Sequence, residues 1–212
     1  MKTIRIISRK SLLARIQANI VAEKIKEEFS NINIEFLTKE TSGDIDLSTP
    51  LHQMPDPGVF TNDIREELLK NKADLAVHSW KDLPVELQEG TEIVTTLKRE
   101  DPRDLLIFKK SSIEKKKINI FTSSPRRKEN LSNFLPDFLS WKPKKINFID
   151  VRGNIQTRIS KLFDSKEDGL VIALAAMKRL LSSPQFIEEE THLLNFLKAV
   201  SYTHLRAHET SV

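Results

Sequence analysis

The sequence has 212 residues, of which 39% are hydrophobic and 30% charged, and its formal net charge at pH 7 is +4. These proportions favour a soluble protein with one large or two small folded domains. None of the residues is cysteine, which excludes disulfides and thiolate metal sites among them, and we predict no metal site. No run reaches the roughly 18 apolar residues of a membrane span and the first residues lack a signal-peptide pattern, so we expect a cytoplasmic location and no membrane partner.

The first half of the chain alternates the patterns of strands and helices. Strands are predicted over residues 3–8, 32–38, 73–78 and 92–97, and helices over residues 11–29 and 61–71. Between them, residues 41–58 (TSGDIDLSTPLHQMPDPG) are polar and contain Gly and Pro, which predicts a long loop. Loops of that length inside a compact domain are more often functional than decorative.

A second cycle of the same kind follows the turn-rich segment KREDPRD. Its strands are predicted over residues 105–108, 118–121, 147–151 and 169–173, and its helices begin near Pro125, Asn154 and Leu174. Strands that alternate with helices indicate an α/β fold, and two cycles indicate two domains, residues 1–98 and 99–200. Residues 201–212 (SYTHLRAHETSV) have no apolar period, so we expect a disordered tail or sequence foreign to the rest. No Gly-rich phosphate motif follows any strand, so a nucleotide site is not supported.

Basic and hydroxyl side chains follow the predicted strands in four separate loops. They are Arg9, Ser11, Ser79, Lys81, Thr122, Ser123, Ser124, Arg126, Arg127, Arg152 and Arg158. Because ligands of open α/β sheets bind at the carboxyl ends of the strands, we expect these side chains to line one cleft. Guanidinium groups pair with carboxylates through two hydrogen bonds, so the cleft suits a ligand with many carboxylates.

Asp82 lies in the sequence amid that positive charge, and a carboxylate there can stabilise a cationic intermediate or transfer a proton. Each of these residues also has a structural alternative. Residues 126–127 could be a surface pair, and Asp82 could be a turn residue before Leu-Pro. Arg158 could pair with Asp164 or Glu167 along its helix. The repeated placement after strands, rather than any one residue, favours an anion-binding cleft.

Seven segments in fixed order resemble the porphobilinogen deaminase family. They are IRIISRKSLLARIQA, GVFTNDIREELL, KADLAVHSWKDLP, REDPRDLLIF, TSSPRR, VRGNIQTRISKL and ALAAMKRL, and they run from residue 4 to about residue 181. The resemblance implies two α/β domains with mixed sheets, like those of periplasmic binding proteins, and a small third domain that these residues do not include. It implies a transferase of tetrapyrrole and heme biosynthesis, which joins four porphobilinogen molecules head to tail into hydroxymethylbilane with loss of ammonia.

The resemblance also implies roles for single residues. Asp82 matches the catalytic carboxylate, and Phe60 matches an aromatic residue near the substrate. The matches to substrate-binding positions are Arg9, Ser11, Arg152, Arg158 and Arg179. The family carries a dipyrromethane cofactor linked to a cysteine, and the matches to positions around it are Lys81, Asp82, Ser124, Arg126, Arg127 and Arg158. Each pyrrole unit brings two carboxylates, which agrees with the cleft expected from the residues alone.

The sequence departs from the family pattern in two places. Residues 53–58 (QMPDPG) stand where the family has Gly-Gly-Lys-Gly after a further lysine, so we expect a stiffer and less positive lid loop. The cysteine that anchors the cofactor has no counterpart among these residues, so we expect a truncated chain that does not complete the reaction.

Two other functions stay open at this point. A module of the periplasmic-binding-protein type could hold a polycarboxylate without chemistry. A nucleic-acid binder would agree with the net charge, but the basic residues lack the interleaved aromatic residues of such surfaces, so we expect no nucleic-acid partner. We expect porphobilinogen as the small-molecule partner and a monomeric protein.

Overall fold

The structure is a computed structural model that describes residues 2–46, 49, 53–54, 58–86 and 88–205. The chain divides into two compact units, Met1–Lys98 and Arg99–Val212. Each unit combines helices with its own sheet, and the predicted α/β fold class is confirmed. In the part of the chain that is described, no helix is both long and apolar enough to cross a membrane.

The first unit is built on a three-stranded sheet with the strand order β2-β1-β3, in which β1 pairs in parallel with both neighbours. Its elements are β1 (Lys2–Arg9), α1 (Leu12–Glu28), β2 (Ile32–Lys39), α2 (Ser42–Ile45), α3 (Asn62–Leu69), β3 (Leu75–Ala76) and a 3-10 turn over Trp80–Asp82.

Strand β1 supplies core residues to both faces of this sheet, because successive side chains of a strand point in opposite directions. Ile6 is buried with Ala18 and Ala22 of α1. Ile7 is buried in a separate cluster with Ile64 of α3 and with Ala73. The helices therefore cover the sheet on two sides, and the core of the first unit consists of two small clusters.

Two strand predictions in the first unit need correction. The strand predicted over residues 92–97 is wrong, since this segment is irregular and Val94 is 64% exposed. The strand predicted over residues 73–78 is ordered as a strand only at Leu75–Ala76. An apolar run becomes a strand only if a neighbouring strand pairs with it, and residues 92–97 pair with no strand among the described residues.

The second unit is built on a five-stranded mixed sheet with the order β6-β5-β7-β4-β8. Strand β5 is parallel to β6 and β7, while β4 is antiparallel to β7 and β8. The elements are β4 (Asp104–Phe108), a 3-10 turn (Lys110–Ser112), β5 (Lys117–Phe121), α4 (Pro125–Phe138), β6 (Lys145–Ile149), α5 (Ile155–Asp164), β7 (Gly169–Ala173), α6 (Leu174–Leu181), α7 (Pro184–Glu189), α8 (Thr191–Ala199) and β8 (Ser201–Leu205).

The core of the second unit is one larger cluster that joins several strands to α4. It contains Leu106, Phe108, Ile118, Ile120, Leu131, Leu135, Leu139, Val171 and Leu205. A buried carboxylate, Asp168, lies just before β7 and accepts hydrogen bonds from the Lys115 Nζ atom and the Asn119 amide, each at 2.7 Å. Burial alone would raise the pKa of Asp168, but these donors and Ser112 outweigh it, and the pKa lies below its usual value.

The tail expected from residue 201 onward is corrected over its first five residues. Ser201–Leu205 form β8, which pairs with β4, and Leu205 is buried in the core. The Tyr202 hydroxyl donates a hydrogen bond to the Leu197 carbonyl of α8. The strand was missed because its order depends on β4 and not on an apolar period of its own. Residues 206–212 lie outside the described residues.

Candidate functional site

In the first unit, the residue at the end of β1 meets two carboxylates. The Arg9 Nε atom donates to Asp44 Oδ2 at 3.1 Å, and Arg9 Nη2 donates to the other oxygen of the same carboxylate. The remaining terminal nitrogen, Arg9 Nη1, lies 3.7 Å from Asp82 Oδ2. The guanidinium carbon lies 4.1 Å from the centre of the Phe60 ring, within the range of a cation–π contact. We call Arg9, Asp44, Phe60 and Asp82 the Arg9 cluster.

Asp82 reaches this cluster from the loop that follows β3. Because β3 runs parallel to β1, both strands end at the same edge of the sheet. The Asp82 amide donates to the Ser79 carbonyl at 2.9 Å, which closes the 3-10 turn. The Ser79 hydroxyl donates to Gln17 Oε1 at 3.1 Å and ties the turn to α1. The carboxylate that the sequence placed amid basic residues therefore lies beside one arginine.

Phe60 reaches the cluster because α2 has a glycine where the ring packs. A Cβ atom on Gly43 would overlap the Phe60 ring, so a larger residue there would displace the ring. The Gly43 amide also donates to the Val59 carbonyl at 2.9 Å, next to Phe60 in the chain. The aromatic face below Arg9 is thus fixed by a side-chain contact and a backbone hydrogen bond.

The charges of the cluster affect two titratable groups. Burial raises the pKa of Asp44, but the hydrogen bonds from Arg9 and Thr41 outweigh it, so its pKa lies below the usual value. Burial lowers the pKa of His78, and of the nearby charges Asp82 opposes this effect while Arg9 adds to it. We therefore expect Asp44 to be ionised and His78 to be neutral at pH 7.

Two other predicted site residues of the first unit have different surroundings. The Ser11 Oγ atom accepts a hydrogen bond from the Ala14 amide at 3.4 Å and caps the N-terminus of α1. The hydroxyl proton of Ser11 can still be donated to a ligand. Lys81 is exposed and precedes Asp82 in the same 3-10 turn.

In the second unit, the arginine at the start of α4 is also held by an aspartate. Arg127 Nε and Nη2 donate to the two oxygens of Asp104, at 3.0 Å and 2.6 Å, and both side chains are less than one-fifth exposed. Ser124 caps α4 and accepts from the Arg127 amide at 3.3 Å. Arg126 is exposed and has no ion pair within the described part of the chain. We call Asp104, Ser124, Arg126 and Arg127 the Arg127 cluster.

A serine joins the loops that follow β5 and β6. The Ser123 hydroxyl donates to the Val151 carbonyl and accepts from the Val151 amide, both at 2.7 Å. This contact brings Arg152, the next residue, to the edge of the sheet where α4 begins. Gly153 then has a φ of +107°, which other residues rarely adopt. The Arg158 Nε atom donates to the Gly153 carbonyl at 2.8 Å, which holds that side chain near the same loop.

Arg179 lies in the helix that follows β7. It belongs to the last turn of α6, whereas the helix begins at Leu174, directly after β7. Five residues of helix correspond to about 7.5 Å. Arg179 is half-buried, and its Nε atom is buried without a hydrogen-bond partner among the residues described. The structure therefore brings together the predicted residues of the loops after β5 and β6, and among the described residues Arg179 forms no hydrogen bond or ion pair with them.

The sequence did not predict the two aspartates that hold Arg9 and Arg127. Asp44 had a local signal, because Thr41-Ser42-Gly43-Asp44 has the spacing of a reciprocal helix cap. Asp104 had none, since it follows an ordinary turn and is paired with a residue 23 positions away. Of the predicted lid loop, residues 55–57 lie outside the described residues.

The donors present suit a ligand with carboxylates better than a metal. Arginine, lysine and hydroxyl side chains pair with carboxylate oxygens, and α4 adds the positive end of a helix. Within the described ranges, no group of three or more His, Asp or Glu side chains could hold a metal ion.

Comparison with known proteins gives a family. Residues 4–206 match the family model described as "Porphobilinogen deaminase, dipyromethane cofactor binding domain". The chain is 45% identical over 183 residues to a porphobilinogen deaminase of Caldicellulosiruptor saccharolyticus, covering 85% of this chain and 60% of the relative. It is 40% identical over 195 residues to one of Rickettsia bellii, covering 91% of this chain and 61% of the relative.

A chloroplastic porphobilinogen deaminase of Euglena gracilis is 34% identical over 200 residues, which cover 92% of this chain and 40% of the relative. The chain thus spans about 60% or less of the length of these relatives. Among solved structures, the effector binding domain of a BenM variant has a TM-score of 0.35 and 15% identity, covering 99% of this chain and 82% of that one. A TM-score this low supports no conclusion about the fold or the function of this chain.

Proposed function

Since the chain belongs to the porphobilinogen deaminase family, we propose that it serves a transferase that joins four porphobilinogen molecules head to tail into hydroxymethylbilane. Ammonia is lost with each addition, and the product belongs to tetrapyrrole biosynthesis. The observation that carries the proposal is the placement of Asp82, a carboxylate of which 18% is exposed, with its Oδ2 atom 3.7 Å from Arg9 Nη1. A surface that only bound polyanions would not need this second carboxylate, because Asp44 already pairs with Arg9.

Asp82 has two tasks in this reaction. As the carbon–nitrogen bond of the protonated aminomethyl group breaks, ammonia leaves with the bonding electron pair and positive charge develops on the pyrrole. An ionised carboxylate beside the pyrrole lowers the energy of that charge. When the new carbon–carbon bond forms, the accepting pyrrole carbon loses a proton, which a carboxylate can take up. Arg9 is close enough to Asp82 to orient it, and the Phe60 ring packs against the Arg9 guanidinium.

The basic residues bind the acetate and propionate groups. We assign Arg9, Ser11, Arg152, Arg158 and Arg179 to substrate carboxylates, with Phe60 near them. The dipyrromethane named in the family description supplies, when bound, the pyrrole to which the first substrate is joined. We assign its carboxylates to Lys81, Ser124, Arg126, Arg127 and Arg158, and the exposed Arg126 and the N-terminus of α4 support that assignment.

The reaction is tested in a fusion of residues 1–205 to the part of the Caldicellulosiruptor relative that this chain does not match. We expect the fusion to consume porphobilinogen, and Asp82→Asn to lower kcat by about 10²–10⁴-fold, the usual effect of losing a general acid or base. Porphyrin absorbance after oxidation of the product gives the rate.

Glu86→Gln is the matched control for Asp82→Asn, because it also removes one negative charge from the exposed loop after the 3-10 turn. An Asp82→Asn fusion as fast as its parent would refute the assignment of Asp82. A folded fusion that binds porphobilinogen without turnover would favour a polycarboxylate-binding module, and the absence of cysteine among the 212 residues makes that the second candidate.

We also propose that the protein is monomeric and cytoplasmic and has no nucleic-acid or membrane partner. Sedimentation velocity tests the monomer. Binding to duplex DNA that weakens steeply with salt would contradict the absence of a nucleic-acid partner.

A further inference from the structure

Asp44 is the best-anchored carboxylate of the Arg9 cluster. Its Oδ2 atom accepts hydrogen bonds from the Thr41 hydroxyl at 2.7 Å and from the Thr41 amide at 3.3 Å. Thr41 itself is fully buried. Both oxygens of Asp44 then accept from Arg9, one from Nε and the other from Nη2. The Asp44 carboxylate is therefore held by Thr41 as well as by Arg9.

Arg9 is in turn held on two sides. Asp44 occupies the edge of the guanidinium that carries Nε and Nη2, and the Phe60 ring lies 4.1 Å from the guanidinium carbon. The remaining terminal nitrogen, Nη1, lies 3.7 Å from Asp82 Oδ2. That separation exceeds the length of a hydrogen bond, so Asp82 and Arg9 form an ion pair without a direct hydrogen bond.

The carboxylates of Asp44 and Asp82 can both pair with the Arg9 guanidinium. A guanidinium prefers to give a carboxylate two parallel hydrogen bonds. With Asp44 in place, the edge suited to such a pair is occupied. Without it, Arg9 could turn the same edge toward Asp82 and cover the oxygens that face a substrate.

We propose that Asp44 is a positioning residue, which holds Arg9 beside Asp82 and prevents the arginine from giving that carboxylate two parallel hydrogen bonds. The proposal deepens the proposed function and rests on it for the role of Asp82. The position of Arg9, in contrast, can be measured without any substrate. Asp44 touches neither Phe60 nor Asp82 through a described hydrogen bond or ion pair, so its action passes through Arg9.

The test uses the 212-residue chain and its Asp44→Asn variant. The first readout is the ¹⁵N NMR signal of the Arg9 Nε–H group, assigned by its loss in Arg9→Lys. We expect this proton to exchange with solvent at least roughly tenfold faster in Asp44→Asn. The reason is that losing one charged hydrogen bond changes the opening equilibrium by at least about that factor. The second readout is the Kd of porphobilinogen by calorimetry, which we expect to rise by roughly tenfold for the same reason.

Asp63→Asn is the matched control. Asp63 accepts from the amide and the hydroxyl of Ser42, each at 2.8 Å, so its loss also removes one negative charge that anchors α2 but does not touch Arg9. We expect both readouts to stay within about twofold of the parent, since the bonds lost there are exposed. Thr41→Val is a milder second variant, which removes one anchor of Asp44 and should give an intermediate Arg9 exchange rate.

The outcomes separate the two proposals. An Arg9 signal unchanged in Asp44→Asn would overturn the positioning role, whatever the binding result. A faster Arg9 exchange with tighter binding of porphobilinogen would also overturn it, because Asp44 would then compete with the ligand. If the parent chain binds no porphobilinogen, the proposed function fails, and the Arg9 signal alone decides the position of the arginine.

Discussion

Each of the two units contains an arginine that is paired with an aspartate, but the surroundings of the two arginines differ. In each, an aspartate of the same unit engages the Nε–Nη2 edge of an arginine: Asp44 for Arg9 and Asp104 for Arg127. In the first unit a second carboxylate, Asp82, lies 3.7 Å from the free end of the guanidinium. Among the described residues, Arg127 has Asp104 as its one ion-pair partner. Under the proposed function, the arginine of the second unit anchors a ligand, whereas the second carboxylate beside Arg9 supports chemistry in the first.

The two units also differ in what supports these clusters. The second has five strands and one large core cluster, while the first has three strands, of which β3 is two residues long. The apolar side chains of the first unit are divided between two small clusters. Because local stability follows buried apolar contact, we expect the unit that carries Asp82 to open more readily.

The largest expected effect is on the core of each unit. Ile120→Ala and Ile6→Ala each remove a fully buried side chain, and each should lower the free energy of unfolding of its own unit by about 2–5 kcal/mol. Trp141 packs on the core of the second unit, and Trp80 of the first is 67% exposed. A Trp80→Phe background therefore leaves fluorescence of the second unit alone during denaturation.

In that background, Ile120→Ala should move the Trp141 transition to lower denaturant, and Ile6→Ala should leave it in place. If Ile6→Ala moves the Trp141 transition as far as Ile120→Ala does, the two units unfold as one and the comparison between them fails.

A smaller effect is expected at the buried carboxylate of the second unit. Asp168→Asn should cost about 1–3 kcal/mol at pH 7, because it weakens a buried charged hydrogen-bond network. The pKa of Asp168 is lowered by folding. Its contribution to stability is therefore complete above the ordinary aspartate pKa of 3.8 and is lost as the pH falls through the lower, folded value. The difference from the parent should therefore shrink below that pH, as measured by urea unfolding between pH 3 and pH 7.

Asp150→Asn is the control for this effect. Asp150 is 60% exposed and pairs with Lys128, so its loss should cost less than about 1 kcal/mol. A gap between Asp168→Asn and the parent that stays constant down to pH 3 would contradict the linkage.

Most of the fold could be predicted, because its elements carry local signals. Strand β7 was predicted with its observed bounds, and α1 and β2 within two residues. The failures depend on pairing between distant residues. Residues 92–97 have the composition of a strand and pair with none that is described, while β8 lacks an apolar period and is ordered by β4.

The candidate site divides in the same way. Arg9 and Asp82 could be selected because each follows a strand, and the structure brings them together. Ser11 and Ser124 follow the same rule, and the structure adds a capping role that the ligand interpretation did not include. Asp44 lies 35 residues from Arg9, so the contact that fixes the arginine could not be predicted from neighbouring sequence.

The most direct test of the account is calorimetric titration of the 212-residue chain with porphobilinogen, beside its dimethyl ester, which lacks both carboxylates. We expect saturable binding of porphobilinogen that weakens with salt, several-fold weaker binding by Arg126→Gln, and no binding of the ester. No binding of porphobilinogen, or equal binding of acid and ester, would contradict the claim that these units recognise pyrrole carboxylates.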